Sequence, residues 1–366
     1  MSHILAARRS AVAPRNGAFA TLEPHEIAVP VIAALLADAG LEPEDVGELI
    51  LSNALGAGGN PARVAALAAG LPECVAGLTI DRQCAGGLDA LLLASAMVQS
   101  GLHDVVIAGG AESYSRRPQR LRTFADGRPP EPYDQARFTP WPERDPAMAE
   151  AADRLAQVLG INRDTQDAWA IESHRKALAF QPPGIVEIAG LASDPFTRAL
   201  TPRLCARAPE VHGTITAANM AVAADAAAFV LVVSDRLAQG GQSAEILAGK
   251  TLGGPPDMPG LAPVAAIEAV LQDTPRNTLV SAEIMEAFAV QAIACQEGAK
   301  LPREIVNANG GALARGHPIG ASGTILAVDL FHQLRATPGT GLAAIASAGG
   351  LGTALLLRTR ARPAPT

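Results

Sequence analysis

One order of elements occurs twice in this chain, and a sequence that repeats itself in this way is confined to a duplicated α/β architecture. In the first half, Glu26 to Ala39 has helical periodicity and stops at Gly40, and Glu48-Leu49-Ile50-Leu51-Ser52 reads as a strand. Gly77-Leu78-Thr79-Ile80 then reads as a strand that runs through a turn into the apolar, alanine-rich helix Leu91 to Val98, and the strand Asp104 to Ala108 ends in Gly109-Gly110. The second half repeats this order. A helix, Ala262 to Gln272, precedes the strand Thr278 to Ile284; a glycine-rich turn leads into the apolar run Thr324 to Leu334; and the strand Leu342 to Ser347 ends in Gly349-Gly350. Strands and helices alternating at these lengths imply sheets covered by helices on both faces.

The two turns carry the chemistry. Cys84 sits in Asp81-Arg82-Gln83-Cys84-Ala85-Gly86-Gly87-Leu88-Asp89-Ala90, at a strand-to-helix turn. There the unpaired N–H groups and the helix dipole favour a thiolate. The two glycines let another backbone or a bulky ligand come close. Alone, such a cysteine reads as a small buried apolar residue. The odds reverse with the downstream segment Asn307-Ala308-Asn309-Gly310-Gly311-Ala312-Leu313-Ala314-Arg315-Gly316-His317-Pro318-Ile319-Gly320-Ala321-Ser322-Gly323. A histidine in a glycine-rich turn can be aimed at a cysteine in a similar turn, which is the arrangement for nucleophilic catalysis by thiol and imidazole.

At these residues the chain resembles the thiolase family of CoA-dependent acyltransferases. Gly59-Asn60-Pro61-Ala62-Arg63, Asp104 to Ser113, Glu286-Ala287-Phe288-Ala289 and Gly349-Gly350-Leu351-Gly352 fall in the family's order and spacing, from about Met1 to Arg358. The resemblance implies the α/β thiolase fold: a duplicated, five-layer αβαβα core with an inserted loop domain. It implies an N-terminal half over residues 1–114 completed by 211–240, a loop domain over 115–210, and a C-terminal half over 241–366. Cys84 and His317 are the implied catalytic pair, with an oxyanion hole from the backbone N–H groups of Cys84 and Ala348. Met148, Ala221, Ala287 and Phe288 are the implied residues against coenzyme A, which would be a substrate and not a bound cofactor; no metal is implied. The helix-rich stretch Pro146 to Leu178, with a helix start at Asn162, belongs to the segment that covers the pantetheine arm. Arg116, Arg117, Arg120, Arg122, Arg203 and Arg207 are candidates for the CoA phosphates, since guanidinium forks suit phosphate, and equally for a solvated basic surface.

The departures from the family pattern matter as much. The second cysteine of a Cys-x-Gly motif, the acid/base of a complete thiolase, is Ala346 here, with Ser347 one residue off and expected on the opposite face of the strand. The Asn or His before Glu-Ala-Phe is Met285, whose sulfur barely hydrogen-bonds. The usual histidine before Met148 is Ala147, and the CoA-contacting Ser-Gly-x-Asn segment is altered within Asn219 to Asp225.

Three readings follow. The first is a thiolase-like acyltransferase that loads an acyl group on Cys84 while carbon–carbon condensation or thiolysis is compromised. The second is a working acetyl-CoA C-acyltransferase with a substitute base, such as Cys295, Glu286 or a group from a partner subunit. The third is a non-catalytic CoA-binding or scaffold subunit paired with an active protein. The presence of both Cys84 and His317 favours the first.

Composition bounds the partners. The 366 residues are 49% hydrophobic, enough for a large core, and the net charge of −7 argues against nucleic acid. Cys74, Cys84, Cys205 and Cys295 have no paired or metal-type spacing, so a reducing cytoplasm is expected. No apolar run is long enough to span a membrane. The arginine-bearing N-terminus faintly suggests a transit peptide, but a first strand is the preferred reading. The apolar strand before Cys84 is expected at a dimer edge, giving a homodimer or homotetramer.

Overall fold

The apolar runs of this chain become strands buried on both faces, and its helices carry local start and stop signals. In the computed structural model, which describes residues 1–56, 58–238 and 243–360, the chain opens with β1 (Ser2–Ser10), β2 (Ala13–Pro14), α1 (Pro24–Ala39), β3 (Glu48–Ser52), α2 (Pro61–Ala68), β4 (Leu78–Ile80), α3 (Gly86–Gln99) and β5 (Val105–Glu112). The middle contains β6 (Arg120–Arg122), β7 (Glu131–Tyr133), α4 (Met148–Leu159), α5 (Arg163–Leu178), β8 (Ile185–Val186), α6 (Pro202–Ala206), β9 (Glu210–His212) and β10 (Ile215–Thr216). Then come β11 (Ala224–Ser234), β12 (Ala244–Gly253), α7 (Ala262–Val270), β13 (Leu279–Ile284), α8 (Ala289–Gly298), the single turn α9 (Ala312–Arg315), α10 (Ile319–Ala336), β14 (Thr340–Ser347) and β15 (Leu351–Arg358). Helix α1 starts with a capping box between Glu23 and Glu26 and stops at Gly40, which takes φ of 63°. The Pro146-to-Leu178 stretch is two helices, not one, because Gly160 ends α4 in the left-handed conformation and Asn162 caps α5 by accepting from Thr165 N at 2.9 Å.

The duplication is visible in strand pairing. The principal path of the sheet runs β13-β14-β15-β12-β1-β11-β5-β3-β4. In the first half β4, β3 and β5 are parallel, and β11 and β1 follow antiparallel. In the second half β13 and β14 are parallel, and β15 and β12 follow antiparallel. Ala282 also makes a parallel bridge to Val306, at the place that β4 takes in the first half. The halves join where β1 meets β12 at His3↔Glu245 and Ile4↔Ala244.

Alternation along the strands divides the interior into three cores. On β11, Ala226, Ala228, Val230 and Val232 enter the same core as α3 and α10, while Ala227, Phe229, Leu231 and Val233 face α1 and α2. On β14, Ala343 and Ile345 also face α3 and α10, while Leu342 and Ala344 face α7 and α8. Helices α3 and α10 therefore fill the space between two half-sheets, and the layers run αβαβα. Helices α4 and α5 contribute Leu155 and Trp169 to the core of α7 and α8.

The central layer depends on backbone approach. A Cβ on Gly87 would lie 2.6 Å from Thr324 N, and one on Gly323 would lie 2.5 Å from Leu88 N. Of the two glycines after Cys84, Gly87 thus admits another backbone, that of α10, while Gly86 makes room for the Ser52 side chain. Strand β5 does not end at its glycine pair, as the sequence suggested, but runs through it to Glu112. Gly109 and Gly110 are flat strand residues where a Cβ would meet Ala228 O and Gly320 O at 2.0 Å. Gly349 and Gly350, by contrast, form the turn after β14, both with φ of 77°. The two pairs answer different needs.

A buried ion cluster fastens the insertion to this layer. Arg9 of β1, fully buried, meets Asp194 at 2.9 Å and Asp329 of α10 at 3.5 Å, and Asp329 meets Arg315 of α9 at 2.8 Å. Removing one member of such a cluster strands the others, which gives it a structural role whatever its net energy.

Gly323→Ala is expected to lower the free energy of unfolding by about 1–3 kcal/mol, overriding the gain of roughly 1 kcal/mol that alanine brings to an ordinary helix site. Urea denaturation would measure it, and a stabilised variant would show that the α3–α10 contact is looser than described.

Candidate active site

Cys84 is held by a strained approach. After β4 the chain turns at Gln83, which adopts φ of 49°. That conformation is costly for a residue with a Cβ. Asp81 holds it, its Oδ1 accepting from Gln83 N at 2.8 Å and from Gln83 Nε2 at 2.9 Å. A short 3₁₀ turn, Gln83–Ala85, then feeds α3. Cys84 remains part-exposed.

His317 is held as firmly between α9 and α10. Its backbone N–H donates to Val222 O at 2.7 Å, beside the parallel bridge between Ala223 and His317. Below it, Glu112 at the end of β5 accepts from Gly320 N and Ala54 N at 3.0 Å each, and from Asn53 Nδ2 at 2.8 Å. This carboxyl ties the α10 N-terminus to the loop after β3. Burial pushes it up to about 7, against the pull of the N–H groups of Ala54, Gly320 and Leu55.

The two residues meet across 233 positions of sequence, with His317 Nε2 at 3.1 Å from Cys84 Sγ. The tautomer follows from the other ring nitrogen. His317 Nδ1 lies 2.6 Å from Ser322 Oγ, and that hydroxyl donates to Pro318 O at 2.9 Å. With its proton so used, the hydroxyl accepts from Nδ1–H, which leaves Nε2 bare toward the cysteine. This is the orientation a general base needs.

The electrostatics correct one expectation. The helix N-terminus was to favour a thiolate, but burial pushes the Cys84 thiol up to about 12, with Glu112 and Asp81 adding to the effect against its own backbone N–H. Burial also pushes His317 down to about 4. Both shifts favour a resting pair of thiol and neutral imidazole.

Both side chains open into a cavity of about 250 Å³ with mostly apolar walls. The residues singled out from sequence line it: Met148 at the start of α4, Ala221, Ala287, Phe288 and Ala348. Ala221 N donates to Ala287 O at 2.9 Å and Met220 bridges Phe288, so the segment before β11 is stitched to the segment before α8. Ala348 opens the turn between β14 and β15. Ala346 and Ser347 both line the wall, but the Ser347 hydroxyl turns to the α3 side, in the register of Ala343 and Ile345, and donates to Arg82 O at 3.2 Å.

Neither substitute base reaches the cavity. Cys295 is fully buried behind Gln291 and Gly260, its thiol on Gly260 O at 3.3 Å and pushed up to about 12 by burial. Glu286 is buried among Trp169 Nε1, Ser173 Oγ and Asn307 Nδ2 at 2.7–2.9 Å. Met285 packs into the central core, outside the cavity wall. The titratable side chains of the wall are Cys84, His317 and Tyr114. Sequence reading missed Tyr114 and Ser322, although both stand in quoted context: Tyr114 directly after Glu112-Ser113, and Ser322 five residues after His317.

Of the candidate phosphate arginines, Arg117 and Arg120 line a separate cavity, Arg120 donating to Ala54 O at 2.8 Å, and the others are outside its wall. Arg116 pairs with Glu23 at 3.0 Å and Arg117 with Asp134 at 2.9 Å, Arg122 lies over Tyr133, and Arg203 and Arg207 are exposed. Among the described residues no cluster of histidine, cysteine or carboxylate side chains could hold a metal, and no helix is long and apolar enough to cross a membrane.

Ser322→Ala should slow proton transfer from Cys84 by about tenfold, the equivalent of one net hydrogen bond lost from the ring's orientation. The rate of Cys84 modification by a thioester would check this; an unchanged rate would mean that packing alone orients the ring. The same rate should stay level from neutral pH downwards and fall only as His317 protonates near pH 4, because the base works in its neutral form. A fall near the ordinary histidine range would contradict the burial argument.

Comparison with known proteins agrees with the geometry. Residues 2–189 match the family model "Thiolase, N-terminal domain", and residues 241–359 match "Thiolase, C-terminal domain". The chain is 38% identical to the putative acetyl-CoA C-acetyltransferase YhfS of Bacillus subtilis, over 98% of this chain and 99% of that one. Among solved structures it is similar to the Bacillus anthracis acetyl-CoA acetyltransferase, at 34% identity and a TM-score of 0.88, and to human mitochondrial 3-ketoacyl-CoA thiolase in complex with CoA, at 26% identity and a TM-score of 0.91. Each structural match covers 98% of both chains.

Proposed function

The chain belongs to the thiolase family, and from that premise we propose that it is an acyltransferase that takes an acyl group from a CoA thioester onto Cys84 and carries out carbon–carbon condensation or thiolysis poorly. The observation that carries the reading is the 3.1 Å approach of an unprotonated His317 Nε2 to Cys84 Sγ inside an apolar cavity.

In the acylation step, Cys84 Sγ attacks the thioester carbonyl while His317 Nε2 takes the thiol proton. The backbone N–H groups of Cys84 and Ala348 receive the negative oxygen; removing one such donor typically costs roughly 10²–10³-fold. The carbonyl re-forms, the bond to the CoA sulfur breaks, and His317 returns the proton to the departing thiolate. The balance is one thioester exchanged for another and free CoA released. Met148, Ala221, Ala287 and Phe288 would line the path of the pantetheine arm, and CoA is a substrate, with no resident cofactor required by these steps.

Carbon–carbon chemistry needs a further group to remove or return a proton at the α-carbon of a second acyl-CoA. At Ala346 there is none, and such general acid/base help is worth roughly 10²–10⁴-fold. The second reading, a fully working acetyl-CoA C-acetyltransferase, is favoured by the names of the relatives, but it needs a base other than Cys295 or Glu286. The scaffold reading leaves the fit between Cys84 and His317 without purpose. We place the enzyme in the cytoplasm, which suits four unpaired cysteines, and assign it a homodimer or homotetramer. Strand β4 supports that assignment: it ends the sheet, with Leu78 36% exposed.

Incubation with acyl-CoAs should add one acyl mass and release CoA, and both should vanish in Cys84→Ala. No Cys84-dependent adduct or CoA release with any chain length would end the acyltransferase reading. Thiolysis of a 3-ketoacyl-CoA should be weak, and Ala346→Cys should raise it by about 10²-fold or more, towards the value of the missing acid/base. Efficient thiolysis by the natural chain would instead favour the second reading.

A further inference from the structure

Behind Tyr114 lies a second cavity, of about 500 Å³, that the proposed reaction does not use. Tyr114 is the residue common to its wall and to the wall around Cys84. The character of the two spaces differs. The Cys84 cavity is apolar, whereas the second is lined by the guanidiniums of Arg15, Arg117 and Arg120. The acid in its wall is Asp134, 88% exposed and already paired with Arg117 at 2.9 Å. Asp225, fully buried behind Ser115, accepts from Ser115 N at 3.0 Å and from Ser115 Oγ. Two carboxylates therefore offset three guanidiniums.

Neither Arg120 nor Arg15 is joined, among the described residues, to an acid by a hydrogen bond or ion pair, although Arg15 lies near enough to Asp225 to favour its ionised form. Arg120 Nη2 donates to Ala54 O at 2.8 Å, a neutral partner. Among the described residues the Arg15 side chain makes no hydrogen bond or ion pair. A concave site with surplus positive charge, on a chain with net charge −7, is suited to an anion. Arg117 lies over the Tyr114 ring, 5.5 Å from its centroid, so the charge reaches the boundary between the two cavities.

The geometry points to a substrate with an anion at the far end of its acyl group: a monothioester of a dicarboxylic acid, its thioester at Cys84 and its free carboxylate on Arg15 and Arg120. The inference rests on the reading that the acyl group is placed at Cys84. The acyl end is preferred over the CoA phosphates because Met148, Ala221, Ala287 and Phe288, the residues assigned to the pantetheine path, share no wall with the arginine cavity. Tyr114 separates the two cavities, so the preferred acyl chain is one long enough to pass its ring.

The test is calorimetric binding to Cys84→Ala protein, which does not depend on turnover. Succinyl-, glutaryl- and adipyl-pantetheine are compared with butyryl- and hexanoyl-pantetheine, carriers that lack the nucleotide phosphates. At least one carboxylate-ended chain should bind roughly ten- to a hundredfold tighter than its methyl-ended counterpart, as expected for charge-assisted hydrogen bonds. Arg15→Ala and Arg120→Ala should abolish the preference, and Arg15→Lys should keep part of it. Equal binding of the two series overturns the inference. So does a loss in the arginine variants that appears with CoA thioesters of either series and not with pantetheine thioesters, since that assigns the cavity to phosphate. Wild-type acylation is scored separately: a carboxylate preference without any Cys84 adduct would remove the acyltransferase reading and leave the anion site standing.

Discussion

The contact on which the rest of this structure depends is the meeting of α3 and α10, backbone against backbone, between the two half-sheets. Each helix begins directly after a functional turn, so pressing the helices together at Gly87 and Gly323 also presses the turns together. Cys84 and His317 belong to different halves and are 233 residues apart, yet their approach is set by helix packing and not by loop flexibility. The neighbouring devices serve the same end. Gly110 lets β5 lie under Gly320, Glu112 holds the α10 N-terminus, and the Arg9 cluster ties β1, the insertion and α10 into one body. Two incomplete sites, one per half, add to one.

That construction also explains which parts of the chemistry a backbone can secure and which it cannot. The proposed nucleophile, its proposed base and the N–H groups proposed to receive the oxyanion at Cys84 and Ala348 are positioned by turns, and turns are fixed by the fold. The acid/base that would act on a second substrate is a side-chain matter, and the side chain at position 346 is a methyl group facing the cavity. On the proposed reading, the thiolase scaffold surrounds a site equipped for acyl transfer and lacking the acid/base for condensation.

Much of the fold was legible in the sequence because it is written in local signals. Gly40 and Asn162 mark helix ends, and the doubled order of elements marks the duplication. Cys84, His317, Met148, Ala221, Ala287, Phe288 and Ala348 are legible from motif and order alone, and they stand around one cavity. What was not legible depends on neighbours distant in sequence. Gly109 and Gly110 read as a strand end, because nothing local says that Ala228 O and Gly320 O press upon them. The helix N-terminus suggested a thiolate, whereas burial, a property of the whole assembly, decides for the thiol. Ser347 keeps the alternation of β14: it shares the register of Ala343 and Ile345, and its hydroxyl turns to Arg82 O at the entry to α3. Tyr114 escaped notice since it meets the cavity only when the second half folds onto the first, and Ser322 because its aim at His317 is set by the geometry of the first turn of α10.

The protonated state of Cys84 carries a consequence for survival in a cell. Peroxides and electrophilic metabolites attack thiolates, and the ladder from sulfenic to sulfonic acid starts there. If Cys84 is the nucleophile proposed above, a thiol held protonated in a largely apolar chamber offers such reagents little to react with. Oxidative damage should fall first on Cys74, which lies exposed at the surface and takes no part in the site. On the proposed reading, vulnerability and reactivity are housed in different cysteines.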